Sequence, residues 1–476
     1  VRSIRNLYAL ALPLPLEKHL AISRAGSAFA AKQARMDKAG VEGAAHMPLL
    51  VPPPDIAVGS KLHIAYVSSD ILTRHAVAGS MRSVPGLHDP RRFVVTIYGY
   101  TRHQREDYKN LGHDKCGAGI GRFVDTEDMD WQGRAEAINA DGNHIMIDLN
   151  AQTGLIDNMP VLSYRPAPVA MHYLGFPTTV GADYIDYLVG DRVVSPVELV
   201  EHGYHEHLLY MSSTFQVVSY KQTYPHPWME GRGWADPDVP ISTGRRFHGM
   251  PPEGHILCNS NQHFKLDPDL FSTWARILNK VDKSKLIMLR YPPESQKNLR
   301  MEGRRRNVTL DRFYMLPKAD LDKHLTRITY CDLFLDNREY NAGTTCTDAL
   351  WAGVPLVALP REKHAGRHSA SMLNAVGGQA SALVARSLQD YEDLVVGVLT
   401  KRGALQRTRD SVLRSWDESE LFDTRRWVRE LEQGLKIMWE QHLEGAPSEQ
   451  RKFWHIIANK PRPKSWDVTP SKKVAD

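Results

Sequence analysis

Short apolar runs alternate with helical patterns along this chain, and they do so in two separate series. That alternation limits the possible folds more than any other feature. The first series opens with Lys61-Leu62-His63-Ile64-Ala65-Tyr66-Val67, which has the length and composition of a buried strand. Phe93 to Tyr98, Ile145 to Leu149, Val169 to Leu174 and Tyr187 to Val189 follow, with a helical pattern over Trp131 to Ala140 among them. A second series runs through His255 to Cys258, Leu286 to Leu289, Leu333 to Leu335 and Pro355 to Leu359. Strands alternating with helices predict parallel, doubly wound sheets. Two such series predict an α/β chain of two Rossmann-like lobes facing across a cleft.

The 476 residues suffice for two or three domains with substantial cores. Residues 1–54 read as a helical segment closed by Pro52-Pro53-Pro54, and 55–218 as the first lobe. Residues 219–254, with Pro225, Pro227, Gly231, Gly233 and Pro251-Pro252, read as a linker. Residues 255–445 form the second lobe, its last helix (Asp423 to His442) carrying an apolar stripe, and 446–476 read as a polar tail that frays. The chain begins at Val1 rather than methionine, as a fragment would.

The net charge of +5 suits an anionic small ligand and is too mild to argue for nucleic acid. No apolar run approaches the ~18 residues that span a bilayer. Cys116, Cys258, Cys331 and Cys346 form no CxxC pair, which argues against a disulfide scaffold or zinc site and for an intracellular, reducing compartment.

Polar clusters recur where strands end, the place where open α/β sheets bind ligands. After Leu333-Phe334-Leu335 comes Tyr340-Asn341-Ala342-Gly343-Thr344-Thr345, opening a helix that continues through Asp348 to Trp351. Its small residues permit close backbone approach, and the free N–H groups of a first helical turn attract anions. This is a candidate phosphate seat, with Asp348 one turn on as a candidate ribose contact. Asn261-Gln262-His263-Phe264-Lys265 follows another strand and places Lys265 toward a developing negative charge. His324 and Arg327 lie three apart on one helix, suited to a base and a phosphate. In the first lobe, Ser68-Ser69-Asp70 with His75, Asp141 to His144, Asn150 to Thr153, and Leu174 to Gly181 flank strands. Two Asp-x-Asp triplets, Asp236-Pro237-Asp238 and Asp267-Pro268-Asp269, lie in the linker and at a helix start, where Asp is an ordinary cap. No metal is expected.

Together these residues resemble the catalytic region of the O-linked N-acetylglucosamine transferase family, over roughly Lys61 to Gly445. The resemblance is carried by Tyr66 to Asp70 with His75, Arg165-Pro166-Ala167-Pro168, Leu174 to Gly181 with Asp186-Tyr187, Gln262 with Phe264-Lys265, His324 to Asp336, Gly343 to Pro355, and Phe422-Asp423-Thr424. It implies a GT-B glycosyltransferase fold and a metal-independent, inverting transfer from UDP-N-acetylglucosamine to serine and threonine of intracellular proteins. By resemblance, Gln262 and Lys265 contact the diphosphate, His324 and Arg327 the uridine, Thr344 and Thr345 phosphate, and Asp348 the ribose. His75 and His144 line the acceptor and sugar side. Asp141 is one option for the proton relay and a water path is another. Thr153, Gly175, Phe176, Pro177, Thr178 and Phe264 border the sugar and acceptor. No cofactor, nucleic acid or membrane partner is implied, and the compartment implied is cytoplasmic or nuclear.

The chain departs from the family at three places. Gly343 stands where many members have histidine, Asn150-Ala151-Gln152-Thr153 where they read Asn-Gly-Tyr-Thr, and Ser212-Ser213 where they read Pro-His. The family's tetratricopeptide repeats are not in this chain, and residues 1–50 resemble the segment that joins them to the lobes. A GDP-fucose-dependent protein O-fucosyltransferase of the same superfamily and an inactive nucleotide-sugar-binding scaffold are the alternative readings.

Overall fold

The computed structural model of the chain describes residues 6–36, 61–71, 75–100, 122–153, 158–223, 239–444 and 456–458. The first sheet contains β1 (Leu62–Ser68), β2 (Phe93–Gly99), β3 (Arg122–Asp125), β4 (Ile145–Asp148), β5 (Val169–His172), β6 (Tyr187–Asp191) and β7 (His207–Met211). The second contains β8 (Ile256–Asn259), β9 (Lys285–Leu289), β10 (Phe313–Leu316), β11 (Leu333–Leu335) and β12 (Leu356–Val357). A last short strand, β13 (Ile456–Ile457), adds to the edge of the first sheet beside β7.

Every pairing between these strands is parallel. The orders are β13-β7-β6-β5-β4-β1-β2-β3 and β10-β9-β8-β11-β12. Each lobe therefore starts at a central strand, winds outward on one side, and returns to wind on the other. The reversals fall between β1 and β4 and between β8 and β11. Such a reversal opens a crevice at the strand C-termini, because the flanking connections leave in opposite directions. Central strands covered on both faces are apolar almost throughout, and β1, β4, β5 and β8 are buried nearly end to end.

The helix Thr424–Leu443 follows the second lobe in sequence but covers the first. Its Trp427, Leu431, Leu435 and Met438 are buried in one cluster with Ile64, Ile145, Val169 and Leu209. Asp423 caps it by accepting the Arg426 N–H at 2.9 Å. Two buried acids on its inner face are satisfied by the first lobe: Glu430 accepts the Ser212 N–H at 3.0 Å, and Glu432 the Asp89 N–H at 2.7 Å.

The N-terminal segment 6–36, which holds the helix Leu16–Met36, also joins the lobes. Ser27 Oγ donates to Val180 O at 2.5 Å, and Gln152 Nε2 to Ser23 O at 2.9 Å, fixing it to the first lobe. Lys363 of the second lobe donates to Leu10 O and Leu12 O at 2.7 and 2.6 Å, while Tyr8 sets its ring edge-on to Phe264 at 4.8 Å.

Three sequence expectations need correction here. The stretch 219–254 is not a plain linker, since it holds the helices Tyr220–Thr223 and Ile241–Phe247 and a buried Ser219 bonded to Ser83. The tail does not fray throughout, because 456–458 pair with β7. Strands β3, β7 and β10 were not expected. Pro52 to Pro54, Asp236-Pro237-Asp238 and Cys116 lie outside the described residues.

Candidate active site

The second-lobe switch point is built from asparagines. Asn259, the last residue of β8, donates through Nδ2 to Leu335 O at 2.7 Å and to Asn337 Oδ1 at 2.9 Å. Asn261 donates to the same Asn337 oxygen at 2.7 Å. Asp336, just past β11, accepts the N–H groups of Asn337 and Ala342, each at 2.8 Å, which folds 337–342 into a tight loop. Burial pushes its carboxyl up to about 7, although those N–H groups and Lys265 pull the other way.

Lys265 closes a turn of 3-10 helix, His263–Lys265, and leans over this loop. Its Nζ donates to Asn341 O at 2.9 Å and stands 3.8 Å from the centre of the Tyr340 ring. Burial pulls the ammonium down to about 8, against the attraction of Asp336. Asn341 leads at once into Gly343, whose φ of 59° suits glycine, and then into the helix Thr344–Trp351. Thr344 and Thr345, both half-buried, form the first turn. Lys265 and a helix N-terminus with no side-chain cap thus border one loop, a combination that favours a diphosphate. Gln262, exposed, precedes the Lys265 turn, and Phe264 packs between Tyr8 and Tyr340.

Beyond these groups, a recess along the ends of β8, β9 and β10 is lined by Met250, Ser260, Leu289, Leu316, His324 and Arg327. Arg327 donates to Pro317 O at 2.8 Å. His324 Nε2 lies 3.2 Å from Asp348 Oδ2, and the other Asp348 oxygen accepts the Tyr220 hydroxyl. His324 and Asp348 are therefore one unit rather than separate contacts.

The first-lobe switch point has a matching cluster. The Ser69 N–H donates to Asn150 Oδ1 at 3.0 Å, while Asn150 Nδ2 reaches Ser69 Oγ at 2.9 Å and Asp70 Oδ2 at 2.6 Å. His75 caps the helix Ala76–Met81 and lies 3.6 Å from Asp70 with its side chain 55% exposed. That helix packs against Thr344–Trp351, so the two clusters meet across the lobes.

Two expected residues, His144 and Asp141, stand elsewhere. They precede β4, at the edge where its chain enters the sheet, opposite the switch points. His144 accepts the His63 N–H at 2.9 Å, packs against Trp439, and is drawn down to about 4 by burial. Asp141 is engaged by Tyr98 and Arg122. Neither stands at the strand C-termini where the switch points open. Phe176, Pro177 and Thr178 are buried, and Phe176 O accepts from His172 Nε2 at 2.6 Å. Gly175 lies so close to Leu149 O that a Cβ would meet it at 2.0 Å. Thr153 bonds back to Asn150 O at 2.6 Å. The Asp267-Pro268-Asp269 carboxylates are held by Arg338, at 2.7 and 2.9 Å. Sequence reading gave no individual role to Asp336, Asn337, Asn341 or Tyr220. The repeated asparagines just after β8 and β11 were the available signal for two of them.

Comparison with known proteins finds relatives over most of the chain. The family model described as Glycosyl transferase family 41 matches residues 14–232 and 230–431. A relative from Arabidopsis thaliana, named as a probable UDP-N-acetylglucosamine–peptide N-acetylglucosaminyltransferase, is 32% identical over 399 residues, covering 84% of this chain and 39% of its own length. One from Caenorhabditis elegans, with the same activity in its name, is 27% identical over 537 residues, covering 92% of this chain and 45% of its own length. The chain thus spans less than half the length of these curated relatives. Among solved structures, a mutant of Thermobaculum terrenum O-GlcNAc transferase superposes with a TM-score of 0.71 at 24% identity, covering 91% of this chain and 78% of that one.

Proposed function

The chain belongs to glycosyl transferase family 41, and from that premise we propose that it transfers N-acetylglucosamine from UDP-N-acetylglucosamine to serine and threonine hydroxyls of peptides and proteins. The observation that carries this reading is Lys265, half-buried and bonded to the Asn341 carbonyl beside the N-terminus of the Thr344 helix. We assign donor binding to 255–445 and acceptor binding to 55–218, the division that the two sheets follow.

The recess by His324 and Arg327 takes the uridine, the His324–Asp348 pair holds the ribose, and Thr344, Thr345 and Lys265 take the diphosphate. Attack by the acceptor oxygen forms a new bond to the anomeric carbon as its bond to the β-phosphate breaks, and UDP leaves. Charge on that phosphate grows along the path, so a lysine and helix N–H groups aimed there act on the rate. These groups offset the charge without a divalent ion, and none is included in the proposal. His75, backed by Asp70, is the candidate to accept the hydroxyl proton, since His144 and Asp141 stand at the far edge. Cys258, Cys331 and Cys346 are free and buried, which supports acceptors in a reducing compartment, the cytoplasm or nucleus.

The test is incubation with UDP-N-acetylglucosamine and a serine-containing peptide in excess EDTA, followed by mass spectrometry. The expected product is the peptide plus one N-acetylhexosamine. Transfer that needs added metal, or only hydrolysis of the donor, would sink the proposal.

A further inference from the structure

His368 opens the helix His368–Val376 and faces Gly343. A Cβ built on Gly343 lies 3.7 Å from His368 Nδ1 and meets nothing else within 4 Å. The position beside the first turn of Thr344–Trp351 is therefore bordered by an imidazole and is not filled by another side chain. His368 is 4% exposed, so its ring is not a solvated surface group. Its Nε2 is 3.0 Å from Nδ1 of His364, itself 2% exposed, and the backbone of Val189 and Pro177 lies against the His364 ring. Phe215 of the first lobe packs against both rings, at 5.1 and 4.6 Å, and fixes their orientation.

The charged and titratable groups around this pair come from several elements. Lys265 lies on the turn after β8, Asp336 follows β11, His172 ends β5 behind His364, and Arg367 precedes His368. Burial holds His364 down to about 3. It holds His368 well below the ordinary range, with His364 and Lys265 adding to the effect. Both rings are neutral at pH 7. Negative charge placed at the helix N-terminus reverses that preference, because it repays the desolvation of an imidazolium.

We propose that His368 is a diphosphate contact of the donor site that takes up a proton from solvent when the diphosphate arrives, with His364 as its positioning residue. This rests on the donor reading above. The proton adds to Nδ1, the nitrogen facing Gly343, and returns to solvent when UDP departs. Thus α-helical N–H groups, Lys265 and a ligand-induced imidazolium converge on one anion.

The experiment is calorimetric titration of the full chain with UDP and with uridine at pH 7.5, in two buffers of different ionisation enthalpy. Wild type should take up about half a proton or more per UDP in excess of His368→Asn, whose amide does not titrate. The variant should bind UDP about tenfold more weakly and uridine equally, because a charge-assisted hydrogen bond is lost only for the phosphates. Equal uptake and equal UDP affinity, in a variant with an unchanged melting curve, overturn the role of His368 and leave the donor reading intact. Wild type that binds no UDP overturns both. If the Asn variant does not fold, the wild-type comparison decides: uptake with UDP no greater than with uridine overturns the proposal.

Discussion

Lys265 reaches its place by giving up water. An ammonium that a half-buried position strips of part of its water, held by one carbonyl and one ring face, is costly, and desolvation draws it down to about 8. In the proposed reaction it would meet the leaving phosphate with less water to shed. Replacing it by alanine should lower turnover about a hundredfold, ~3 kcal/mol of barrier, with the melting curve retained. Since the protonated form is the useful one, kcat/KM for the donor should fall as pH rises through about 8. A profile flat to pH ~9.5 would separate Lys265 from the chemistry. Gly175 makes a different demand. A methyl group there would collide with the Leu149 carbonyl, so Gly175→Ala should destabilise the first lobe by about 3 kcal/mol in urea unfolding, through a forced loop shift. At this scale the sequence was legible where residues follow a strand. Lys265, Thr344, Thr345 and His75 all lie on the cleft side. Asp141 and His144 stand away from the switch points because flanking a strand is not enough: in a parallel sheet only the leaving end borders the crevice. Both precede β4, and that was visible in the order of residues.

Among elements, the strands of the sheet interiors were the readable ones, because burial on both faces leaves a continuous apolar run. β3 reads Arg-Phe-Val-Asp at a sheet edge and is partly exposed, so its composition looks like loop. Within 219–254, Ile241 and Phe247 lie on a helix too short and too exposed to leave a periodic stripe. The stripe on Thr424–Leu443 was plain, but a stripe does not say which sheet it covers. Trp427 tests the answer. It is 2% exposed, donates through Nε1 to Phe215 O at 3.1 Å, and lies 5.2 Å from the Tyr173 ring. Trp427→Ala should cost about 3–5 kcal/mol. Hydrogen exchange should quicken in β5 and β7 of the first lobe more than in β8 and β9 of the second, although residue 427 follows the second lobe in sequence. Faster exchange confined to the second lobe would contradict the packing.

For the whole molecule, buried neutral histidines set an acid limit. His19, His144 and His364 are drawn by burial to about 4, 4 and 3, below the 6.5 of an exposed imidazole. Between those values the unfolded chain binds more protons than the folded one, so stability rises with pH there. It is fully present above about 6.5 and is lost as pH falls toward 4 and 3. The urea midpoint should therefore be lower at pH 5 than at pH 7.5, by an amount that shrinks in His144→Asn. An unchanged midpoint would mean these rings do not titrate on unfolding. The two-lobe plan itself was legible from the paired alternation, since parallel sheets permit few other arrangements. The contacts that hold the lobes together were not. Tyr220 with Asp348, Ser371 with Asp191 and Lys363 with Leu10 join residues 128, 180 and 353 apart, and no local pattern encodes such a pairing.

The return of Thr424–Leu443 to the first sheet also bears on how such chains can be inherited. A single recombination junction between the lobes would pair one parent's sheet with another parent's covering helix. Ile64, Val169 and Leu209 would then face a stripe selected against different neighbours. Exchange of donor-binding lobes between relatives requires two junctions, one near residue 219 and one near residue 423, so that sheet and helix pass on together. Gene fusions made in the laboratory are bound by the same geometry.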